Sequence, residues 1–505
     1  MLHTLTIDRD QSKGTIREDV YGHFAEHLGR GIYDGIWVGP NSSIAHTEGL
    51  RQDVLEALRA IHIPVLRWPG GCFADEYHWK DGIGRPEDRR TMVNSNWGGV
   101  VEDNQFGTHE FFRLCELLEC DAYVSGNVGS GTVQEMQDWV EYITGPKASS
   151  MGGLRAKNGR NQPWRLKYFG VGNESWGCGG NMRAEYYADV YRQYQTFIRQ
   201  YQREARIQKI ASGSHDGDYH WTEVLMKSAA QLMDGISLHY YTIPGTWEHK
   251  GSATDFGPKE WFVTLKKALV LDDLLDQHGW VMDRYDPERK VGLVVDEWGT
   301  WYDVEPGTSK AFLFQQNTLR DALVAAISLN IFNNHCDRVT MANLAQTVNV
   351  LQALLLTQGS EMVKTPTYYV FQMYAAHQGN RQARVLTNSL MYAMEGEAIS
   401  QIHNSASFDA LGRCHLSMAN LHPDHDATVE ISVQGAEGGW PIGQAHGRYL
   451  SASRINACNT FDQPDQVVIR PMDATPVDGG KIRVVLPAKS VAQWVMQQAP
   501  SPTKL

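Results

Sequence analysis

Two glutamates stand at the ends of short apolar runs, a position at which their carboxyl groups could take part in catalysis. Glu174 closes the run LKYFGVGNE, and Glu297 closes the run VGLVVDE. Hydrolysis of a glycosidic bond needs two carboxylic acids, because one protonates the leaving oxygen while the other attacks the anomeric carbon or activates water. Carboxyl groups roughly 5–5.5 Å apart do this with retention, through a covalent intermediate. The alternative is that one or both glutamates only form salt bridges at a surface rim.

Elements that could position these carboxyl groups occur between residues 20 and 370, where short apolar runs alternate with longer amphipathic segments. The strand-like runs cover residues 20–28, 63–71, 122–128, 166–174, 209–214, 235–242, 291–298 and 339–348. Helix-like spacing, with apolar residues every three or four positions, covers residues 50–61, 108–118, 184–200, 260–278 and 310–333. Eight units of a buried strand followed by a helix predict an α/β fold, a (β/α)8 TIM barrel.

The ends of the eight runs are unusually polar. They read FAEH, RWPGGC, GNVG, GNES, GSHDG, LHYYT, VDEW and NLAQ. Active sites of such barrels are built at the C-terminal ends of the strands. Glu174 then ends strand four and Glu297 ends strand seven, so the two carboxyl groups are expected to face each other across the mouth of the barrel.

The remainder of the chain has a different pattern. Short strand-like segments separated by turn residues cover residues 393–403, 414–420, 427–433, 466–469 and 481–486, and a further one covers residues 4–8. This pattern is typical of an antiparallel β-sandwich or jelly roll. We therefore expect a catalytic barrel over residues 17–375 and a C-terminal β-sandwich domain made of residues 1–16 and 376–505.

Composition and charge bear on location and partners. The 505 residues carry a net charge of −12 without a basic stripe, which argues against a nucleic-acid partner. The sequence shows no pattern of a secretory signal and no apolar run of about 18 residues, so a cytoplasmic protein without a membrane partner is expected. Seven cysteines without metal-site spacing are expected to be free thiols in a reducing compartment.

Several longer motifs resemble those of one family. YGHFAEHLGRGIYDGIW, VLRWPGGCFADEYHWKDGIG, YFGVGNESWGCGG, ISLHYYT, VDEWGTWY and DRVTMANLAQTVNVLQ resemble motifs of the α-L-arabinofuranosidases of glycoside hydrolase family fifty-one, in the same order and spacing. The resemblance covers essentially the whole chain, and EHLGR followed by RWPGG is its most specific part. It implies a retaining, exo-acting hydrolase that releases arabinofuranose from arabinan- or arabinoxylan-derived oligosaccharides. It also implies a hexamer or another homo-oligomer, with no cofactor and no metal.

The resemblance further implies roles for individual residues. Glu174 is expected to be the general acid/base and Glu297 the nucleophile. Contacts to the sugar or support for the nucleophile are expected from Glu26, Arg67, Cys72, Trp97, Asn173, His239, Tyr241, Trp301 and Gln346. Arg67 and Tyr241 are expected to keep Glu297 ionised.

Cys72 departs from the family pattern, because several relatives carry Asn after the RxPGG turn. A thiol is a poor hydrogen-bond partner in place of an amide. One contact to a sugar hydroxyl is therefore expected to be weaker, or to be replaced by water.

Most of these residues also have a structural interpretation. Glu26 could cap the turn that follows it, and His239 could be a satisfied core histidine. Trp97 and Trp301 could be ordinary core aromatics. Arg67 could be structural as well as functional, since a buried arginine needs carboxylate partners in any case.

Three other functions remain open at this point. A β-xylosidase or β-glucanase on the same barrel would share the carboxylate pair, although EHLGR with RWPGG favours a furanose. A sugar-binding protein that has lost catalysis would lack one of the carboxylates, and both are present. A metal-dependent barrel hydrolase would need clustered ligands, which His23 and His27 on either side of Glu26 faintly imitate; a chelator would abolish its activity.

Overall fold

Eight parallel strands close into a barrel in the computed structural model of the chain, which describes residues 2–435 and 438–500. Strands one to eight are Gly22–Phe24, Val65–Trp68, Asp121–Gly126, Tyr168–Val171, Gln208–His215, Gly235–Thr242, Gly292–Thr300 and Val339–Ala345. They follow one another around the barrel in chain order, and strand eight pairs with strand one. All eight predicted strands are confirmed, and with them the (β/α)8 barrel.

Nine α-helices are found in the described residues, and most of them cover the outside of the barrel. They are Gln52–Ala60, Thr108–Leu118, Val133–Thr144, Ser150–Lys157, Ala184–Phe197, Tyr219–Ala229, Pro258–Asp283, Leu319–Asn334 and Pro366–Tyr374. None of these helices has the combination of length and apolar character needed to cross a membrane.

One predicted helix begins later than its sequence pattern indicates. The pattern covers residues 310–333, but the helix starts at Leu319. Thr318 ends the preceding loop, because its hydroxyl accepts a hydrogen bond from the backbone N–H of Arg320 and Asp321 accepts one from the N–H of Thr318. This reciprocal capping fixes the start of the helix nine residues into the predicted segment.

A second, mostly antiparallel sheet follows the barrel, as predicted for a β-sandwich. Its strands are Leu2–Asp8, Arg381–Asn388, Ile402–Phe408, Cys414–Asn420, Ala427–Gly435, Gly438–Gly439, Ile442–Leu450, Arg470–Met472, Thr475–Val477, Lys481–Leu486 and Ser490–Gln498. The N-terminal strand lies between Arg381–Asn388 and Ala427–Gly435. Met1 and residues 436–437 and 501–505, which belong to the predicted second domain, lie outside the described residues.

Two strand predictions for the C-terminal part of the chain need correction. Residues 466–469 do not form a strand. The side-chain amide of Asn459 accepts a hydrogen bond from the N–H of Val467 and donates one to its carbonyl, so these backbone groups bond to a side chain and not to a neighbouring strand. The segment 393–403 is interrupted at residues 395–396, where Glu395 and Gly396 take positive φ angles and turn the chain into a small hairpin.

Candidate active site

Glu174 and Glu297 meet at the mouth of the barrel. Oxygens of the two carboxyl groups and a ring nitrogen of His239 lie within 4.8 Å of one another. Glu297 is buried, whereas the side chain of Glu174 is 20% exposed. Glu174 also has a φ of +41°, a left-handed conformation that is rare for residues other than glycine and that clusters at functional sites. A separation this short suits a covalent double displacement and leaves no room for a water between the carboxyl groups.

The carboxylate of Glu297 has two donors, as predicted. Arg67 donates from Nη1 to Oε1 over 3.0 Å, and the Tyr241 hydroxyl donates to Oε2 over 2.7 Å. Burial nevertheless raises the pKa of Glu297 above its usual range, against the opposing charges of His239 and Arg67. Arg67 and the hydrogen bond from Tyr241 act in the predicted direction, towards the ionised form, and offset part of the effect of burial.

A second buried carboxylate lines the same pocket. Glu26 Oε1 accepts hydrogen bonds from the Trp97 indole at 2.9 Å and from the backbone of Phe73 at 3.0 Å, while Oε2 accepts one from the Gln346 amide at 3.1 Å. Burial first, and then the charge of Glu297, raise the pKa of Glu26 to about 7. Glu26 therefore lies beside Trp97 and Gln346 at the mouth of the barrel. The backbone N–H that it binds belongs to Phe73, in the loop after strand two, and not to the turn that follows Glu26.

Asn173 presents an unused donor in this pocket. Its Oδ1 accepts a hydrogen bond from Arg67 Nη2 at 2.5 Å, whereas its buried Nδ2 has no partner among the described residues. Behind it, Asp75 accepts hydrogen bonds from the backbone N–H groups of Asn173, Val128 and Gly129. Asp75 thus fixes the end of strand four, a role that sequence reasoning missed.

Aromatic side chains form the entrance on one side. Trp301 packs edge-on against Tyr241, with ring centroids 5.0 Å apart. Trp97 belongs to the same apolar cluster. Trp247, which sequence reasoning did not select, is 56% exposed and packs edge-on against Trp301 at 5.2 Å. An exposed aromatic face beside the mouth is suited to contact with a sugar ring.

His239 lies between three carboxylates. Its Nδ1 is 2.8 Å from Glu174 Oε1 and 3.6 Å from Glu297 Oε2, and its Nε2 is 3.0 Å from Asp296 Oδ1. The sequence did not single out Asp296, because side chains alternate along a strand and Glu297 should leave Asp296 on the opposite face. The pairing of strand seven shifts register between Val295 and Trp298, and this irregularity lets both acidic side chains reach the interior.

The two histidines whose positions in the sequence faintly imitate a metal site do not form one with Glu26. His23 packs against Phe371 and makes no hydrogen bond to any residue that the structure describes. His27 bonds Glu102 through Nδ1 and accepts a hydrogen bond from the Trp68 indole at Nε2. Neither ring lies with Glu26 in a group of metal-binding geometry among the described residues.

Comparison with known proteins decides the family. Residues 57–256 match the model of the "Alpha-L-arabinofuranosidase 1 domain", and residues 296–490 match that of the "Alpha-L-arabinofuranosidase C-terminal domain". An intracellular exo-α-L-arabinofuranosidase of Bacteroides ovatus is 51% identical over 98% of this chain and 95% of its own length. The chain belongs to the α-L-arabinofuranosidase family. It is therefore a glycoside hydrolase, and the family predicted from the sequence motifs is confirmed.

Solved arabinofuranosidases have the same architecture. A family 51 arabinofuranosidase from Xanthomonas axonopodis pv. citri superposes with a TM-score of 0.96 at 48% identity, covering 98% of this chain and all of the other. An α-L-arabinofuranosidase from Thermotoga maritima, solved with arabinose, superposes with a TM-score of 0.86 at 29% identity and covers the same shares of the two chains. The arabinofuranosidase fold, barrel plus sandwich, is thereby confirmed.

The mouth of this arabinofuranosidase contains a disulfide that the sequence did not predict. Cys72 and Cys178 are bonded to each other, so the expectation that all seven cysteines are free thiols is wrong for these two. Cys115, Cys120, Cys336, Cys414 and Cys458 are free. The pairing was missed because Cys72 follows strand two and Cys178 follows strand four, and only the closed barrel brings these loops together.

The disulfide also changes the interpretation of Cys72. Its sulfur lies 4.0 Å from Glu174 Oε2, and the sulfur of Cys178 lies 3.5 Å from the same oxygen. Cys72 is therefore no thiol donor to a sugar hydroxyl. It belongs to a cross-link that covers one side of the Glu174 carboxyl group.

We expect Cys178→Ser to destabilise the protein by about 2–4 kcal/mol, because the cross-link joins residues 106 apart in sequence. Thermal unfolding with and without reductant measures the effect. Reductant should lower the melting temperature of the wild type and of Cys458→Ser, which removes a free cysteine, but should leave that of Cys178→Ser unchanged. Equal melting temperatures for the reduced and untreated wild type would contradict this role.

Proposed function

We propose that this chain is a retaining exo-α-L-arabinofuranosidase in which Glu297 is the nucleophile and Glu174 the general acid/base. It releases terminal arabinofuranose from arabinan- or arabinoxylan-derived oligosaccharides. The observation that carries the proposal is the pair itself: two carboxyl groups with oxygens within 4.8 Å, one buried and one partly exposed, at the mouth of an arabinofuranosidase barrel.

In the first step, Glu297 attacks the anomeric carbon while Glu174 protonates the departing oxygen. The hydrogen bonds from Arg67 and Tyr241 hold the Glu297 carboxylate in one orientation. Glu174 is the more exposed of the two, as suits a group that must reach a leaving group on the solvent side. In the second step, water attacks the arabinofuranosyl-enzyme ester, and Glu174 takes its proton as general base.

The sugar is held by groups that have hydrogen-bonding capacity to spare. The Nδ2 of Asn173 is buried and unpartnered, so a furanose hydroxyl can satisfy it without displacing a protein contact. Both ends of the Gln346 side-chain amide bond to Glu26, one to its carboxylate and one to its backbone N–H, which fixes the orientation of both side chains. Contacts of this kind accelerate the reaction when they strengthen in the transition state.

The domain division, the cellular location and the assembly of the enzyme belong to the same proposal. Residues 17–375 form the catalytic unit and the remainder the accessory sandwich domain. The protein acts in the cytoplasm on imported oligosaccharides, in line with the name of the Bacteroides ovatus relative. It assembles as a homo-oligomer, as its resemblance to the family implies.

Hydrolysis of 4-nitrophenyl glycosides tests the proposed substrate. We expect kcat/KM on the α-L-arabinofuranoside to exceed that on the β-D-xylopyranoside by roughly 10²-fold or more, because the pocket's hydrogen-bonding groups are left unpaired by a poorly fitting ring. A chelator should leave the rate unchanged. Preference for the xyloside would contradict the assigned substrate, and loss of activity with the chelator would support a metal-dependent hydrolase instead.

A further inference from the structure

Asp296 is a buried carboxylate that lies one side chain away from the reacting groups. Its Oδ1 contacts His239 Nε2 at 3.0 Å, and its Oδ2 accepts a hydrogen bond from the Tyr123 hydroxyl at 2.7 Å. Arg67 Nε lies 3.6 Å from Oδ2. The residue is 2% exposed, and the ring of His239 separates it from Glu174.

The charges of these neighbours keep Asp296 ionised. Burial alone would raise its pKa, but Arg67 and the hydrogen bond from His239 hold that pKa below its usual range. On the other side of the contact, burial alone would lower the pKa of His239. The charge of Glu297 and the hydrogen bonds to Asp296 and Glu174 instead raise it to about 10.

We propose that Asp296 is a positioning residue for the acid/base step, acting on Glu174 through His239. This inference rests on the proposed function of Glu174. Both ring nitrogens of His239 face a carboxylate oxygen, and as an imidazolium the ring donates its Nε2–H to Asp296 and its Nδ1–H to Glu174 Oε1. Oε1 is then always an acceptor, and the proton that reaches the leaving oxygen is carried on Oε2.

Protons balance over the catalytic cycle under this arrangement. In the first step Glu174 loses its Oε2 proton to the glycosidic oxygen, and in the second step it regains a proton from the attacking water. His239 keeps both of its protons throughout. Asp296 therefore transfers nothing and serves only to hold the imidazolium in place.

Charged and titratable groups face this pair from five strands. His239 and Asp296 are faced by Arg67 from strand two, Tyr123 from strand three, Glu174 from strand four and Glu297 from strand seven. His215 of strand five interacts electrostatically with Glu174. All of them remain when Asp296 alone is changed, so a shift in the pH profile can be assigned to its charge.

The sign of the expected shift follows from that charge. His239 holds its protons between Asp296 and Glu174, with which its two ring nitrogens share hydrogen bonds. Removing the negative charge of Asp296 lowers the pKa of His239, so the imidazolium that donates to Glu174 is lost at lower pH. The basic limb of kcat/KM should therefore fall by about one pH unit or more in Asp296→Asn. The loss at a fixed pH should be larger on oligosaccharides, which need acid assistance, than on a nitrophenyl glycoside.

Tyr123→Phe is the matched variant and predicts the opposite direction. It removes the hydrogen bond that stabilises the charge on Asp296 while the charge itself remains. Asp296 then attracts the His239 proton more strongly, and the basic limb should move upward. This variant changes one hydroxyl, so it also provides a test if Asp296→Asn does not fold.

The experiment measures kcat/KM against pH for wild type, Asp296→Asn and Tyr123→Phe on 4-nitrophenyl α-L-arabinofuranoside and on an arabino-oligosaccharide. Opposite shifts of the basic limb on the arabino-oligosaccharide, whose leaving group needs a proton from Glu174, support the proposal. A uniform loss at every pH with unmoved limbs, or a downward shift in Tyr123→Phe, overturns it. Wild-type activity on the arabinofuranoside is read in the same experiment, so failure of the proposed function would be recognised separately.

Discussion

Glu297→Ala lowers kcat on 4-nitrophenyl α-L-arabinofuranoside by roughly 10⁴-fold or more, because without a nucleophile no covalent intermediate forms. This loss does not depend on the leaving group, so kcat on arabino-oligosaccharides should fall by a similar factor. Initial-rate measurements on both substrates check the expectation. Glu288→Ala serves as a control, since it removes an exposed glutamate whose ion-pair partner is the exposed Lys290, and its rate should match the wild type.

Added azide tests whether Glu297→Ala has lost its nucleophile. A small anion can occupy the space that the Glu297 carboxylate leaves and attack the anomeric carbon directly, giving an arabinofuranosyl azide of inverted configuration. Recovery of the rate with this product supports a nucleophile at position 297. Activity that survives in Glu297→Ala without azide would show that another residue attacks the sugar.

The effect of Glu174→Ala on kcat/KM should depend on the leaving group of the substrate. Nitrophenolate departs without a proton, so kcat/KM on the nitrophenyl glycoside should be largely spared. The same constant on arabino-oligosaccharides should fall by roughly 10²–10⁴-fold, because the alkoxide leaving group needs a general acid. Comparing kcat/KM on the two substrates for wild type and variant measures the difference.

The second role of Glu174 provides an internal control. Without a general base the intermediate hydrolyses slowly, so a burst of nitrophenol should precede a slow steady state. Azide should relieve that slow phase and give an azide of retained configuration. An equal loss on both substrates, without a burst, would contradict the acid/base assignment.

Much of the site could be predicted because it depends on local patterns. Each barrel strand carries its polar residues at its C-terminal end, and this placed Glu174, His239 and Glu297 at one mouth before any geometry was known. The motifs then supplied Glu26 and Gln346, which come from opposite ends of the barrel sequence and meet across the closure between strands one and eight.

The features that could not be predicted depend on irregular or distant geometry. Asp296 faces the interior only because strand seven changes register near it. The Cys72–Cys178 disulfide needs two loops that are adjacent only in the closed barrel. The pKa of Glu297 is set first by burial, which residue types do not report, and only then by the charged neighbours that the sequence suggested.

The most direct test of the account locates the covalent intermediate. Glu174→Ala enzyme is mixed with 4-nitrophenyl α-L-arabinofuranoside, quenched with acid after the burst and digested for peptide mass spectrometry. The account predicts one arabinofuranosyl group on the peptide that contains Glu297, attached to that side chain. The same group on Glu26 or on any other residue, or an unlabelled protein after a clear burst, would contradict the assignment of Glu297 as the nucleophile.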